Sequence, residues 1–283
     1  MTKGTIIKIN STIYTVKSEN NTFDCVLRGK FRYEKITPYV GDHVLFNTED
    51  LVINEILERK NNLDRPPVAN IDYNLIVTSL KKPDFNSTLL DKLISISEIN
   101  NITPILLFTK LDLLSKSELK EYKKLFNYYK SIGYKVFTNK QVLKVKKTLK
   151  NKIVTVSGQT GAGKSTFINK LDNSLNLKTN DISVSLGRGK HTTRVVELFN
   201  IKNFYIMDTP GFSQIDFKKE EIDKIKDSFI EFNNYNCKYK DCKHIKEDGC
   251  SIKDNKFILK SRYDNYIKFI KGDNYRWKYQ LVI

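Results

Sequence analysis

One eight-residue stretch constrains this chain more than any other: Gly158-Gln159-Thr160-Gly161-Ala162-Gly163-Lys164-Ser165 satisfies G-x-x-x-x-G-K-[ST]. The apolar, β-branched run Ile153-Val154-Thr155-Val156 precedes it, and a helical pattern begins at Lys164. The motif therefore stands where a phosphate-binding loop must, between a strand and a helix. Its glycines let backbone N–H groups converge on a β-phosphate, Lys164 offers a cation to the β and γ oxygens, and Ser165 offers a hydroxyl to Mg²⁺, with Thr166 next in line. A plain glycine-rich turn ahead of a helix is the competing reading, and the context disfavours it.

A P-loop alone does not separate ATP from GTP. Thr109-Lys110-Leu111-Asp112 follows the apolar run Ile105-Leu106-Leu107-Phe108 and resembles the N/T-K-x-D motif that reads guanine. A carboxylate can accept both N1–H and N2–H of guanine, a donor pair adenine lacks, while the lysine stem packs over the base. Asp112 thus disfavours an ATP-using kinase. Thr109 stands where asparagine is more usual, which predicts a looser tie between this loop and the P-loop. Asp208-Thr209-Pro210-Gly211 follows Phe204-Tyr205-Ile206-Met207 and matches D-x-x-G, in which Asp208 would orient the Mg²⁺ shell and the Gly211 N–H would meet a γ-phosphate. Asp, Pro and Gly also form ordinary β-turns, but three motifs on three strand ends make coincidence a poor account.

In Ras-like proteins the D-x-x-G motif comes before the base-reading motif, whereas here positions 109–112 precede the P-loop at 158 and D-x-x-G at 208. The order is circularly permuted, which a compact domain tolerates because its termini often lie close together. The cut falls just after D-x-x-G, so a movement that senses γ-phosphate would pass directly into the C-terminal region. Between the P-loop and D-x-x-G runs Gly187-Arg188-Gly189-Lys190-His191-Thr192-Thr193, a basic stretch suited to a switch loop, with Thr192 or Thr193 supplying a hydroxyl to Mg²⁺. Phe212 occupies the place of the glutamine that positions water in Ras-like enzymes. His191 is the available catalytic substitute, since an imidazole can accept a hydrogen bond from water and orient it. The bland alternative for a lone histidine is a surface residue.

Short alternating runs separated by polar turns fill the first 60 or so residues and imply a small β-barrel, OB-type or SH3-like by strand pattern alone. Arg65-Pro66-Pro67 then punctuates the chain. Beyond it, apolar runs at 75–77, 105–108, 153–156 and 204–207 alternate with helical patterns over 89–99 and 118–132, which implies a mainly parallel sheet with helices on both faces. The expected division is a barrel over 1–64, a permuted nucleotide-binding domain over 65–218 and a helical zinc-binding domain over 219–283.

Cys237-x4-Cys242-x-His244-x5-Cys250 gathers three thiols and an imidazole within 14 residues, the donor set of a closed structural Zn²⁺ site. All four positions are filled by protein, so the site would brace a module with little core of its own rather than catalyse. No C-x-x-C redox pair is present, and four unevenly placed cysteines do not suggest a secreted disulfide framework. The N-terminus lacks the apolar run of a secretory signal and no long apolar stretch exists, so a cytoplasmic location without membrane contact is expected. The 283 residues carry a formal charge of +17, which suits an anionic partner such as nucleic acid or simply a solvated lysine-rich surface. Near the C-terminus Arg262, Tyr263, Tyr266, Tyr275, Arg276 and Trp277 interleave charge with rings, equally suited to RNA stacking or to packing at helical spacing.

Taken together, these features resemble the RsgA/YjeQ family of bacterial circularly permuted GTPases. The shared features are Arg28-Gly29-Lys30, Val40-Gly41-Asp42, Arg65-Pro66-Pro67-Val68-Ala69-Asn70-Ile71-Asp72, T-K-L-D, the P-loop, G-R-G-K-H-T-T, D-T-P-G-F and the Cys/His spacing, in family order over nearly the whole sequence. The resemblance implies an OB domain, a central GTPase domain and a zinc domain. It also implies GTP hydrolysis stimulated by the small ribosomal subunit during late maturation, contact with 16S rRNA, a monomer, and a hydrolytic role for His191. A nucleotide-gated RNA-binding protein with incidental hydrolysis is the alternative. The family's second base-contacting loop usually reads Ser-Ala-Lys, and Phe137-Thr138-Asn139-Lys140 lies at its place.

Overall fold

The computed structural model describes residues 1–34, 36–64, 67–172, 196–201, 203–207 and 216–272. Five strands, β1 (Thr2–Asn10), β2 (Ile13–Ser18), β3 (Asn21–Leu27), β4 (His43–Asn47) and β5 (Val52–Ile56), run in the order β1-β2-β3-β5-β4. Pairing of β1 with β4, from Thr2↔Phe46 to Thr5↔His43, closes them into a barrel. Closure with a parallel β3–β5 contact is the OB-type arrangement, which decides between the two barrels the strand pattern left open. Ile6, Val16, Cys25, Val44, Phe46 and Ile53 fill the interior. Phe31, inside the basic stretch 28–32, belongs to that core rather than to the surface.

A hairpin of β6 (Asn62–Asp64) and β7 (Pro67–Ala69) leads onward. It clasps the barrel: Asn70 Nδ2 donates to the Gly41 carbonyl at 2.9 Å, and Arg59 Nε reaches Asp42 Oδ1 at 2.7 Å. Gly41 has φ +92°, and a Cβ there would lie 2.1 Å from the Ala69 carbonyl oxygen. Only glycine fits so close an approach.

The second sheet runs in the order β10 (Lys135–Thr138), β9 (Thr103–Thr109), β8 (Tyr73–Ser79), β11 (Ile153–Ser157), β13 (Phe204–Met207) and β12 (Val196–Ile201). The first five are parallel and β12 is antiparallel. Strand residues alternate between two cores because successive side chains point to opposite faces. Leu75, Val77, Ile105 and Leu107 pack with Phe167, Ile168 and Leu171 on one face. Ile76, Leu106 and Phe108 pack with Leu90, Leu93, Ile94 and Phe126 on the other. Helices Ser87–Ile99 and Lys116–Ser131 cover the latter face, the second opened by a capping box between Ser115 and Glu118.

β12 would be an exposed edge, but β1 of the barrel pairs with it through Lys8↔Glu197 and Ile9↔Val196, so barrel and sheet are continuous. Residues 216–272 form short helical turns, an irregular stretch and one longer helix, Lys260–Lys271. This module does not stand alone. Phe229, Phe232, Ile252, Ile258 and Tyr266 share one core with helix Ser87–Ile99. Among the described residues no helix is long and apolar enough to cross a membrane.

Candidate functional site

Five loops leave the carboxyl ends of five adjacent parallel strands, the usual place for a ligand in an open α/β sheet. From β11 comes the P-loop. Gly158 has φ +130°, and a Cβ there would meet the Val77 carbonyl oxygen at 2.0 Å, so this turn needs glycine. Gly163, at φ +90°, caps helix Lys164–Leu171. Ser165 is buried in the first turn, Thr166 is exposed, and Lys164 Nζ donates to the carbonyls of Gly158 and Gln159 at 2.8 and 3.0 Å. The lysine is therefore folded over the loop's own mouth. Beneath it, Ser157 donates to Asn74 Oδ1 at 2.9 Å and Asn74 donates to Ser97 Oγ at 2.8 Å, fastening the strand end to β8 and helix Ser87–Ile99.

From β9 comes the base-reading segment. Thr109 Oγ1 donates to the Ala162 carbonyl at 2.6 Å, so the expectation of a looser tie is corrected: the shorter hydroxyl reaches the P-loop because the two loops approach closely. Lys110 adopts a left-handed conformation (φ 59°) ahead of the single turn Leu111–Leu113 that carries Asp112, and its ammonium donates to the Lys82 carbonyl. That carbonyl belongs to the loop after β8. There Pro83 lies against Gly161, with Pro83 Cδ 3.5 Å from where a Gly161 Cβ would be, and Lys81 binds Glu118 at 2.9 Å. Nothing in the sequence marked Lys81-Lys82-Pro83 as a wall of the site, because its contribution is largely backbone. From β10 comes Thr138-Asn139-Lys140, and the Asn139 N–H donates to the Phe108 carbonyl at 3.0 Å, setting this loop directly beside the base-reading segment.

The fifth strand, β13, ends at Met207, paired with Thr155 on β11, directly ahead of the D-x-x-G motif in the sequence. Asp208, Gly211, His191, Thr192 and Thr193 lie outside the described residues. The P-loop, the base-reading segment and the strands that carry the remaining motifs are thus brought to one edge of the sheet.

Cys237, Cys242, His244 and Cys250 converge with all four ligand atoms within 4.8 Å of one another. Cys237 Sγ and Cys250 Sγ each lie 3.5 Å from His244 Nδ1 and 4.0 Å from each other. A tetrahedron with metal–sulfur bonds of about 2.3 Å and a metal–nitrogen bond of about 2.05 Å has edges of roughly 3.8 and 3.6 Å, so the group fits a metal ion. Backbone N–H groups of Ser251 and Lys253 donate to Cys237 and Cys250 sulfurs at 3.3 and 3.4 Å, the support that thiolate ligands require. Tyr263 and Tyr266 hydroxyls donate to the His244 and Lys243 carbonyls at 2.8 and 2.5 Å, pinning the metal loop to helix Lys260–Lys271.

Beneath the metal loop the last helix meets the nucleotide-binding domain through a fully buried ion network. Arg262 donates to Glu231 through Nε and Nη2 at 2.7 and 2.8 Å and to Asp91 Oδ1 through Nη1 at 2.9 Å. Tyr129 and Asn265 add donors to Asp91 at 2.7 and 2.6 Å. Desolvation would discharge a buried guanidinium, but the two carboxylates outweigh it and hold Arg262 charged. Of the two readings open for this stretch, packing applies to 260–271, while 275–277 lies outside the described residues.

A P-loop at one strand end, a base-reading segment bonded to it from a strand earlier in the sequence, and a D-x-x-G strand later in the sequence define a circularly permuted P-loop GTPase. Residues 56–218 match the family described as RsgA GTPase and residues 3–52 match the RsgA N-terminal domain. The chain is 45% identical over 284 residues to small ribosomal subunit biogenesis GTPase RsgA 2 of Oceanobacillus iheyensis, covering 96% of this chain and 97% of that protein. It is 43% identical to the small ribosomal subunit biogenesis GTPase RsgA of Staphylococcus haemolyticus, over 95% and 96% of the two proteins. Among solved structures, YjeQ from Thermotoga maritima superposes with a TM-score of 0.83 at 31% identity, covering 97% of this chain and 99% of that one. YloQ, described as a circularly permuted GTPase, gives 0.80 at 31% identity, with 98% and 97% coverage. The chain belongs to the RsgA GTPase family.

Proposed function

We propose that this protein binds GTP with Mg²⁺ at residues 158–166, hydrolyses it, and acts in late maturation of the small ribosomal subunit, contacting 16S rRNA as a cytoplasmic monomer. The observation that carries the reading is the hydrogen bond between Thr109 and Ala162, which makes the base-reading and phosphate-binding loops one site despite their inverted order in the sequence. Lys110 and Asp112 take the guanine, and Thr138-Asn139-Lys140 supplies a second base contact from the adjoining strand. Lys164 takes the β and γ oxygens. Ser165, one of Thr192 and Thr193, and Asp208 would hold Mg²⁺, which would supply neutralisation of phosphate charge. Gly211 senses the γ-phosphate, and His191 orients the attacking water in place of the glutamine that Phe212 replaces. Zn²⁺ is the metal at Cys237, Cys242, His244 and Cys250, because three thiolates and one imidazole leave no open position and suit a borderline-soft ion. Three units divide the work: the barrel over 1–64, the GTPase domain over 65–218 and the zinc domain over 219–283. The name shared by the relatives directs the partner assignment, and the charge of +17 is consistent with it.

The test is GTP and ATP turnover with and without purified small ribosomal subunits. Slow GTP hydrolysis that the subunits accelerate, with no matching ATP activity, is expected; equal ATP turnover or indifference to subunits refutes the reading. His191→Ala separates an enzyme whose cycle needs hydrolysis from a nucleotide-gated RNA binder. Normal release from subunits with hydrolysis abolished would favour the binder.

A further inference from the structure

Glu118, in the first turn of helix Lys116–Ser131, holds two parts of the nucleotide site at once. One carboxylate oxygen accepts the Ser115 N–H at 2.7 Å, and the Lys81 ammonium lies 2.9 and 3.2 Å from the two oxygens. The Ser115 N–H first, and the Lys81 ammonium next, hold the Glu118 carboxyl down at about 2, so it is ionised throughout the neutral range. Each partner stands beside a base-reading group. Ser115 is the third residue after Asp112, and the turn between them is closed by the Leu113 N–H on the Lys110 carbonyl at 3.1 Å and the Leu114 N–H on the Leu111 carbonyl at 3.3 Å. Lys81 directly precedes Lys82, whose carbonyl receives the Lys110 ammonium. Ser79 Oγ donates to the Lys81 carbonyl at 2.9 Å and the Leu80 N–H to the Thr109 carbonyl at 3.3 Å, so the ends of β8 and β9 are fixed in the same arrangement. The Lys81 and Glu118 side chains are 38% and 41% exposed, and an exposed ion pair adds little to the stability of a fold. What this pair does add is a fixed distance between the loop that orients Lys110 and the turn that carries Asp112.

We infer that Glu118 and Lys81 are positioning residues for guanine recognition, their ion pair setting Asp112 against the edge of the base and Lys110 over its face without touching the nucleotide. The inference rests on the assignment of Lys110 and Asp112 to guanine. A carboxylate displaced from the base edge loses its hold on the N2–H. Preference for guanine over hypoxanthine, which lacks the 2-amino group, therefore reports where Asp112 stands, and a general loss of stability does not move it.

Affinities of the full-length protein for GDP and for inosine diphosphate test it, beside the thermal midpoint. Glu118→Gln is the most informative variant, because glutamine still completes the capping box with Ser115 and only the charge toward Lys81 is lost. Glu118→Gln and Lys81→Met should each weaken GDP about fivefold, the upper range for an exposed pair, and inosine diphosphate about twofold, with the midpoint nearly unchanged. Lys81→Arg should bind as the parent does, and the combined Lys81→Met/Glu118→Gln variant should be no weaker than either single variant. Equal losses for the two nucleotides, no loss for either, or losses that multiply in the combined variant overturn the inference. Asp112→Ala is run alongside. If it narrows the preference for GDP while the Lys81 and Glu118 variants do not, this inference alone fails. An unchanged preference in Asp112→Ala removes the guanine assignment and the inference with it.

Discussion

Thr109 and Ala162 lie 53 positions apart, yet the hydroxyl of one donates to the carbonyl of the other at 2.6 Å, and both groups are buried. The bond directly links the segment proposed to read the base with the loop proposed to hold phosphate. Thr109→Val keeps the side-chain shape and leaves the Ala162 carbonyl unpaired, at a cost of about 1–3 kcal/mol. GTP and GDP affinity should fall together by roughly tenfold, because about 1.4 kcal/mol corresponds to one decade. Thr109→Ser should bind nearly as the parent does. Titration with a fluorescent guanine nucleotide reads the difference, and unchanged affinity in Thr109→Val would show that the loops keep their register without this bond.

Asp112 lies on the exposed turn Leu111–Leu113, held in place by the left-handed Lys110 before it. Asp112→Asn exchanges one acceptor oxygen for a donor, which opposes guanine N1–H and suits the 2-oxo group of xanthine. GTP affinity should drop by on the order of 100-fold, about two charge-assisted hydrogen bonds' worth, and xanthosine triphosphate should become the preferred nucleotide. Competition between the two triphosphates measures the switch. Retained preference for GTP would exclude Asp112 from base recognition.

What was legible in the sequence follows from which forces act locally. Ile105 to Phe108 reads as a buried strand because both faces of a covered parallel sheet demand apolar residues, and the P-loop reads from its fixed glycine spacing. Pairing between distant elements has no such signature. Nothing in Ile7-Lys8-Ile9 announces that β1 joins β12, since an edge strand and a barrel strand share one alternating pattern. Burial of charge was likewise hidden. Arg262 among tyrosines fitted an RNA-stacking surface as well as a core, and only its partners Asp91 and Glu231, 171 and 31 positions away, decide for the core. Thr109 misled in the other direction, because residue identity reports reach and not the distance to be reached.

Arg262 is fully buried between two carboxylates. Breaking such a network from one side strands the remaining charges and costs about 3–5 kcal/mol, whereas replacing all members by neutral groups is often tolerated. Arg262→Met should therefore lower the thermal midpoint sharply and detach helix Lys260–Lys271 from helix Ser87–Ile99. The combined Arg262→Met/Asp91→Asn/Glu231→Gln variant should recover most of the loss. Calorimetry measures both, and equal midpoints for the single and combined variants would mean that packing of Phe229 and Tyr266 alone docks the module.

Removal of the metal should affect the C-terminal module in two separable layers. The loop carrying Cys237, Cys242, His244 and Cys250 has little regular secondary structure, so a bound ion would cross-link a segment otherwise held by backbone bonds to sulfur and to Glu247 and by the Tyr263 and Tyr266 hydroxyls. Helix Lys260–Lys271 is held differently, by Arg262 and by the aromatic cluster of Phe229, Phe232 and Tyr266. Cys242→Ser should reduce bound zinc from one per protein molecule to near zero, and amide exchange should rise across 237–253 while 262–270 stays protected. GDP affinity should be unchanged, because none of the P-loop or base-reading contacts passes through the metal loop. Metal analysis with hydrogen exchange on the parent and Cys242→Ser proteins tests this order of events. If exchange rises equally over 262–270, or GDP binding falls with the zinc, the ion braces the whole domain interface instead of its own loop.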